Sequence, residues 1–249
     1  MHPSLARQDH RPWPIPAKRW TWRQSWRDLL FAHWPVPAAE LTRLVPAPLE
    51  VQSFEGTSWV GVVPFRMAGV MRRPLPDLPW ISAFPELNLR LYVEYEGRPG
   101  VFFLSLDATN PLAVWAARRF FHLPYEHATI DITRSGDTYD YRCHRRDADA
   151  VFEGTYAPSS DVRESRAGSL EHWLTERYCL YARSPRGDLF RAEVHHVPWP
   201  LQDATASVST NTVGRPHGLD LSGEPATLHF SRRIDVVVWS PEKIRSSEA

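Results

Sequence analysis

The sequence is almost without lysine. The only two are Lys18 and Lys243, each near one end of the 249-residue chain, so arginine carries nearly all of the positive charge. A Schiff-base mechanism needs an amine whose pKa is lowered beside a substrate carbonyl. Neither terminal lysine is placed for that role, and the sequence therefore argues against imine chemistry. A genome that strongly prefers arginine would produce the same shortage without functional meaning.

Cysteine and long apolar runs are also scarce. Cys143 and Cys179 lie far apart and fit no metal-binding spacing, which argues against both a disulfide framework and a structural zinc site. No segment approaches the roughly 20 apolar residues needed to cross a bilayer, and the first residues lack the apolar core of a signal peptide. These absences predict a reduced, cytoplasmic protein that does not enter a membrane.

Neither sign of charge predominates, and the common catalytic motifs are missing. Lys plus Arg and Asp plus Glu number 29 each, which removes the broad attraction on which nucleic-acid binding rests. No P-loop, dinucleotide-binding glycine motif, nucleophile elbow or zinc-protease motif is present. The local histidine groups, His122 with His127 and the adjacent His195 and His196, make poor chelates because neighbours on a strand point to opposite faces. We expect no cofactor, no metal and no nucleic-acid partner.

What the sequence does contain is apolar, strand-forming material. Hydrophobic residues make up 43% of the chain, including 11 tryptophans, enough for one large core. Short alternating or apolar runs separated by glycine turns predict mostly antiparallel strands, with 49–54 and 57–69 forming a hairpin. We expect a polar, proline-rich N-terminal arm over 1–20, a single β-rich α+β domain over 21–240 and a tail over 241–249.

A few helices and one proline-rich segment interrupt the predicted strands. Asn110 is a good N-cap and proline follows it, which predicts a helix over 111–121. A helix is predicted from Ser169 to about Tyr181 because its apolar residues follow helical spacing. Prolines crowd residues 71–85 and exclude both a helix and a central strand, so we expect a long surface loop or lid there.

Polar and apolar residues alternate along ELNLRLYV, so Glu86, Asn88 and Arg90 share one face of a strand. Pairing with the next strand would bring further polar groups to them: Ser105, Asp107 and, from the following helix, Arg118. Such a cluster suits a ligand carboxylate or carbonyl, because arginine offers a two-pronged donor that stays charged when buried. The alternative is a buried ion-pair network that closes one end of a barrel.

A second cluster, in which Glu176, Arg177 and Tyr178 meet His196 and Trp199, is interpreted as mainly structural, packing a helix on a strand. The tryptophans and tyrosines are interpreted as core residues, although an enclosed cavity would be lined by some of them.

Seven segments together carry a family resemblance. LLFAHWPV, SWVGVVPF, FPELNLR, FFLSLDA, LPYEHA, ERYCLY and HHVPW occur in this order and resemble the YqjF-like family of uncharacterised bacterial proteins, domain of unknown function 2071, over roughly residues 20–240. That family is similar to the acetoacetate decarboxylase-like superfamily. The resemblance implies a swollen, mostly antiparallel β-barrel or cone that encloses an internal cavity.

The resemblance also implies positions for a site. Decarboxylases of that superfamily carry a strand glutamate, a helix arginine and a proline followed by two lysines, one of which forms the imine. By this match Glu86 and Arg118 take the first two positions and Pro124 is retained, but Tyr125 and Glu126 replace the lysines. Without the amine, decarboxylation through a Schiff base is excluded.

Three functions remain open. The first is binding of a small organic acid or carbonyl compound near Glu86, Arg90, Arg118 and Tyr125. The second is a lysine-independent hydratase, isomerase or hydrolase in the same cavity, with Glu86 or Tyr125 as proton carrier and an arginine holding an anion. The third is a structural protein or homo-oligomer whose polar cluster binds nothing. Further ligand contacts are predicted from Asn88, Ser105, Asp107 and Glu126.

Overall fold

The computed structural model describes residues 2–75 and 82–244, which are dominated by β-structure. The strands are β1 (Trp22–Val36), β2 (Glu50–Val51), β3 (Ser58–Arg72), β4 (Phe84–Tyr95), β5 (Arg98–Ala108), β6 (Tyr125–Ser135), β7 (Thr138–Arg145), β8 (Val151–Pro158), β9 (Cys179–Arg183), β10 (Leu189–His195), β11 (Gln202–Asn211), β12 (Thr227–Val238) and β13 (Glu242–Lys243). The α-helices are α1 (Ala38–Thr42), α2 (Pro111–Phe121) and α3 (Leu170–Thr175), and 3-10 turns lie at Pro3–Ala6 and Arg215–His217. Among these described helices none has the length and apolar composition needed to span a bilayer.

Nine strands form a closed barrel. They follow the order β5, β6, β7, β8, β11, β12, β1, β3, β4, and the antiparallel pairing of β4 with β5 closes the ring. Of its pairings only β5 with β6 is parallel, where α2 makes the crossover. The prediction of a swollen, mostly antiparallel barrel with few short helices is therefore confirmed.

A second ring shares one wall with the first. Strand β9 runs parallel to β5, and β10 pairs with both β9 and β12, so that β5, β4, β3, β1 and β12 belong to both rings. A strand that is buried on both faces has a continuous apolar sequence rather than an alternation of polar and apolar residues. This explains why residues 58–65 (SWVGVVPF) are all buried.

Alternate side chains of the shared strands enter different interiors. On β4, Leu87, Leu89 and Leu91 pack into the core of the nine-stranded barrel. The intervening Glu86, Asn88 and Arg90 line a cavity on the opposite face. The predicted separation of the two faces of this strand is thus confirmed.

Two predicted elements differ in the structure. The predicted turn is present, since Phe54 and Thr57 form an antiparallel bridge across it, but no hairpin extends beyond the bridge. Strand β2 pairs instead with β4, through Glu50 opposite Glu94, while β3 lies between β1 and β4. The helix that begins after Ser169 ends at Thr175, and Cys179–Arg183 forms strand β9. Its apolar spacing fits a helix, but pairing with β5 and β10 determines the structure.

The loop predicted over the proline-rich residues 71–85 is shorter than expected. Strand β3 continues to Arg72, and β4 begins at Phe84, so strand extends into both ends of 71–85. Pro85 is tolerated in β4 because β5 ends at Ala108, opposite Glu86, and only β3 flanks β4 at this point. The predicted lid falls largely on residues 76–81, outside the described residues.

The N-terminal arm is fixed to β10 by a buried arginine. Arg11 donates from Nη1 to the Val194 carbonyl (2.6 Å) and from Nη2 to Glu193 Oε2 (3.0 Å), and its side chain is only 1% exposed. Trp13 Nε1 donates to the same Glu193 oxygen (2.7 Å). At the other end of the arm, Trp239 Nε1 donates to the Lys18 carbonyl (2.8 Å). The arm therefore covers the outer edge of the second ring.

We predict that Arg11→Met loosens this arm. The substitution removes a buried charged hydrogen bond to Glu193, which keeps Trp13, Arg98 and Arg191 as partners, and it should cost about 2 kcal/mol of unfolding free energy. Limited proteolysis should then cut first within residues 2–20. Arg7→Met is the control, because the Arg7–Glu164 pair is 45% and 52% exposed and should matter little. Equal protease resistance of the two variants would show that Arg11 does not hold the arm.

Candidate functional site

The second ring encloses a cavity of about 480 Å³ between the shared strands, α2 and the β9–β10 pair. Its walls are mainly apolar and include Phe31, Phe65, Met67, Leu106 and Trp199. The volume lies in the range usual for small-molecule sites, which combine an apolar wall with a few convergent polar groups. Those polar groups lie in two places.

At one place Tyr125 Oη donates a hydrogen bond to Glu86 Oε2 (2.7 Å). Both side chains are buried, at 6% and 2% exposure. The pKa of Glu86 is raised to about 8, mainly by burial. The hydrogen bond from Tyr125 acts to lower this pKa, and the nearby charge of Asp107 acts to raise it. Burial likewise raises the pKa of Tyr125 well above its ordinary value. At neutral pH the pair is therefore largely uncharged and carries protons that can be donated.

At the other place Arg90 spans from β4 to the end of α3. Its Nε donates to Tyr92 Oη (3.2 Å) and its Nη2 to the Leu174 carbonyl (3.1 Å). His33 Nε2 lies 2.6 Å from the same Tyr92 oxygen. A Cβ at position 61 would come within 3.2 Å of both the Arg90 and His33 side chains, so the glycine there makes room for this arrangement.

Sequence reasoning missed Arg177, which it placed in a structural cluster. The residue follows α3 and lines the cavity, with its side chain donating from Nε to the Trp173 carbonyl (2.6 Å) and from Nη1 to Gln52 Oε1 (2.5 Å). Burial and, to a smaller extent, the nearby charge of Arg90 lower the pKa of Arg177 to about 10. The group therefore stays charged at neutral pH. The available signal was its position in ERYCLY, one of the segments that carry the family resemblance.

Ser105 and Asp107 do not join the cavity cluster. A bulge in β5 places Ser105 opposite Leu89 but Phe103 opposite Arg90, so that Phe103 faces the cavity while Ser105 and Asp107 face away from it. There Arg145 donates to Asp107 Oδ1 (2.7 Å) and to Ser105 Oγ (2.7 Å). These two residues form the buried ion-pair network that was the alternative interpretation.

Arg118 and Glu126 also lie outside the cavity lining. Arg118 donates from Nε to the Tyr125 carbonyl (2.6 Å) and from Nη2 to Glu126 Oε2 (2.8 Å), and the two side chains are 48% and 40% exposed. Arg118 thus holds the backbone of Tyr125 rather than the space in front of it. Of the predicted residues, the structure brings Glu86, Asn88, Arg90 and Tyr125 together in the cavity.

The described residues contain no group of three histidine, cysteine or carboxylate side chains that could hold a metal ion. No lysine occurs among the described residues that line the cavity. Lys18 pairs with Glu242, and Lys243 pairs with Asp188 at 2.7 Å, both at exposed positions.

Comparisons with known proteins agree with this architecture. The model of the family named domain of unknown function 2071, described as an uncharacterized conserved protein, matches residues 23–235. The uncharacterized protein YqjF of Bacillus subtilis strain 168 is 44% identical over 230 residues, which is 92% of this chain and 95% of that protein.

Two solved structures share the fold at low sequence identity. The enduracididine biosynthesis enzyme MppR complexed with pyruvate superposes with a TM-score of 0.65 at 13% identity, covering 96% of this chain and 95% of that one. Acetoacetate decarboxylase from Legionella pneumophila gives a TM-score of 0.63 at 12% identity, with 97% and 95% coverage. The fold is therefore of the acetoacetate decarboxylase-like type, as the resemblance implied.

We predict that Glu86→Gln changes how stability depends on pH. The pKa of Glu86 is about 8 in the folded chain and 4.5 without its surroundings, so between these values the folded chain holds one more proton than the unfolded chain. Wild-type stability from this group is complete below about pH 4.5 and is lost as the pH rises to about 8. Glutamine does not ionise and avoids this loss.

Relative to wild type, the free energy of unfolding of Glu86→Gln should therefore rise by about 1.4 kcal/mol per pH unit from about pH 5 to about pH 8. Urea titrations across this range measure the difference, and contributions of all other groups cancel in it. Two parallel pH profiles would show that Glu86 is ionised in the folded chain.

Proposed function

The chain belongs to the family named domain of unknown function 2071, and we propose that it binds a small organic acid or carbonyl compound in the cavity of the second ring, without forming an imine. The observation that carries the proposal is the buried Glu86–Tyr125 pair facing that cavity. The Tyr125 hydroxyl donates its proton to Glu86, so the protonated Glu86 carboxyl group is the hydrogen-bond donor left for a ligand, and a carbonyl or carboxylate oxygen is the acceptor that it fits.

Tyr125 distinguishes this pair from the site of the decarboxylases. By the family resemblance it stands where the decarboxylases carry a lysine, and its hydroxyl can donate a hydrogen bond but cannot form an imine. The pyruvate held by MppR shows that a neighbour of this fold takes a small keto acid, which supports the same ligand class here. The apolar wall supplies burial for the rest of the molecule.

A lysine-independent acid/base enzyme is the second candidate, and the pKa of Glu86 favours it. A value of about 8 lies close to neutral pH, where a side chain can both give and accept a proton at useful rates. Tyr125 would then orient the carboxyl group through its hydrogen bond. Deuterium exchange at the carbon next to the carbonyl of a bound keto acid separates the two candidates, because a binding protein leaves that position unexchanged.

A thermal-shift screen tests the proposal, using keto acids, hydroxy acids, lactones and apolar carbonyl compounds. A ligand that binds the folded chain raises its melting temperature by mass action. We expect a saturable shift confined to one of these classes. No shift in any class would contradict binding of an organic acid or carbonyl compound and favour the structural alternative.

We predict that Tyr125→Phe weakens binding of the selected ligand by about five- to tenfold, because the variant loses the buried hydrogen bond that orients the Glu86 carboxyl group toward the ligand. Tyr141→Phe is the matched control, because Tyr141 is fully buried in the nine-stranded barrel and its Oη has no hydrogen-bond partner. Calorimetric titration measures both. Equal losses in the two variants would mean that Tyr125 supports the fold and not the ligand.

Binding should also depend on pH. For a ligand carboxylate, affinity should fall as the pH rises through about 8, because ionisation of Glu86 then places a second negative charge in the cavity. Glu86→Gln should remove this dependence while keeping an acceptor for the Tyr125 hydroxyl. A wild-type affinity that is constant from about pH 6 to about pH 9 would contradict contact between the ligand and Glu86.

A further inference from the structure

Two buried guanidinium groups at the cavity wall lie near the same tyrosine ring. Arg90 and Arg177 are 9% and 7% exposed, and both line the cavity. Their central carbons lie 5.5 and 5.0 Å from the centre of the same Tyr92 ring. The two positive charges therefore share one small region, although they come from β4 and from the segment after α3.

Neither guanidinium is paired with a carboxylate among the described residues. Arg90 bonds a phenol and a carbonyl, and Arg177 bonds a carbonyl and the amide of Gln52. The nearest acidic link is indirect, since Gln52 in turn donates to Glu94 Oε2 (2.7 Å). Other buried arginines differ, as Arg11 pairs with Glu193 and Arg145 with Asp107.

This arrangement leaves charge and hydrogen-bonding capacity unused. Burying a charge is costly unless an opposite charge compensates it, and arginine cannot escape the cost by losing its proton. Arg177 Nη2, a donor, has no hydrogen-bond partner. A negatively charged group between the two arginines would supply the missing charge and acceptors.

We propose that Arg90 and Arg177 form an anion subsite of the cavity and that the ligand is an amphipathic organic anion, with a carboxylate or similar charged group held between the two guanidiniums. This inference rests on the proposed function, because it places the acidic group of the ligand at one end of the cavity that the proposal fills. The apolar body of the ligand lies against Phe31, Phe65 and Trp199, and any carbonyl at its far end meets Glu86 and Tyr125.

The surroundings favour an organic anion over an inorganic one. Phe31 lies 5.2 Å from the central carbon of Arg90, and the cavity of about 480 Å³ continues from there along apolar walls. A small hydrated anion would leave that apolar volume unfilled, whereas a ligand with an apolar body also gains from burying its own surface.

A pair of fluorescent probes tests the subsite directly. 1-Anilinonaphthalene-8-sulfonate carries an anionic group on an apolar body, and N-phenyl-1-naphthylamine has the same rings without that group. Both are titrated into the wild type and into Arg90→Met, Arg177→Met and Arg177→Lys. Arg142→Met, at a side chain 60% exposed on β7, is the control substitution.

We expect Arg90→Met and Arg177→Met each to lose about tenfold or more in affinity for the sulfonate and less than about twofold for the neutral probe, and the control Arg142→Met to keep its affinity for both. Arg177→Lys should recover part of the sulfonate affinity because it keeps the charge. Thermal melts of each variant, compared with Arg142→Met, show that the probes report on folded protein.

The other outcomes separate the two proposals. If wild type binds the neutral probe but the methionine variants keep full sulfonate affinity, the anion subsite is wrong and the cavity remains a binding site. Equal losses for both probes would show that the arginines only shape the cavity, which also overturns the subsite. If wild type binds neither probe, the cavity does not take amphipathic ligands and the inference fails, whereas the proposed function still stands or falls on the thermal-shift screen.

Discussion

The pairing of β4 with β5 is the contact on which both interiors depend. It closes the nine-stranded barrel, and β5 also carries β9, through which the second ring closes. The bulge in β5 then decides which side chains enter which interior, because one extra residue reverses the alternation of every residue after it. Removing that bulge would exchange the two faces for the residues that follow it in β5.

The two interiors differ in how their charged groups are paired. In the barrel, Asp107 and Ser105 are bonded by Arg145, and Asp28 accepts hydrogen bonds from Arg66 and Tyr139 (2.7 Å). In the cavity, two arginines lack acidic partners and a carboxyl group is held in a neutral state. Satisfied networks fix a fold, whereas charges left without partners beside an open volume indicate a place where a ligand completes the structure.

Much of this architecture could be predicted from local patterns. Alternation along β4 separates Glu86 and Arg90 from the leucines between them, and Asn110 followed by proline marks the start of α2. The family resemblance supplied the barrel. The position of Tyr125 beside Glu86 follows from the same resemblance and is seen in the structure.

What the sequence could not show depends on long-range pairing. A bulge leaves no pattern in the sequence of β5, so Ser105 and Asp107 could not be separated from the cavity residues. The segment after Thr175 has helical spacing, and only its neighbours β5 and β10 make it a strand. Arg177 was misplaced with it, because a residue assigned to the middle of a helix gives no sign that it borders a cavity.

The shared wall also bears on how this family can diversify. Because the nine-stranded barrel is filled by its own side chains, its core does not depend on what lines the opposite face of β1, β3 and β4. Substitutions at alternate positions of these strands can therefore alter the cavity lining while the barrel keeps its packing. The same strands carry two nearly independent sets of residues, one that fills the barrel and one that lines the cavity.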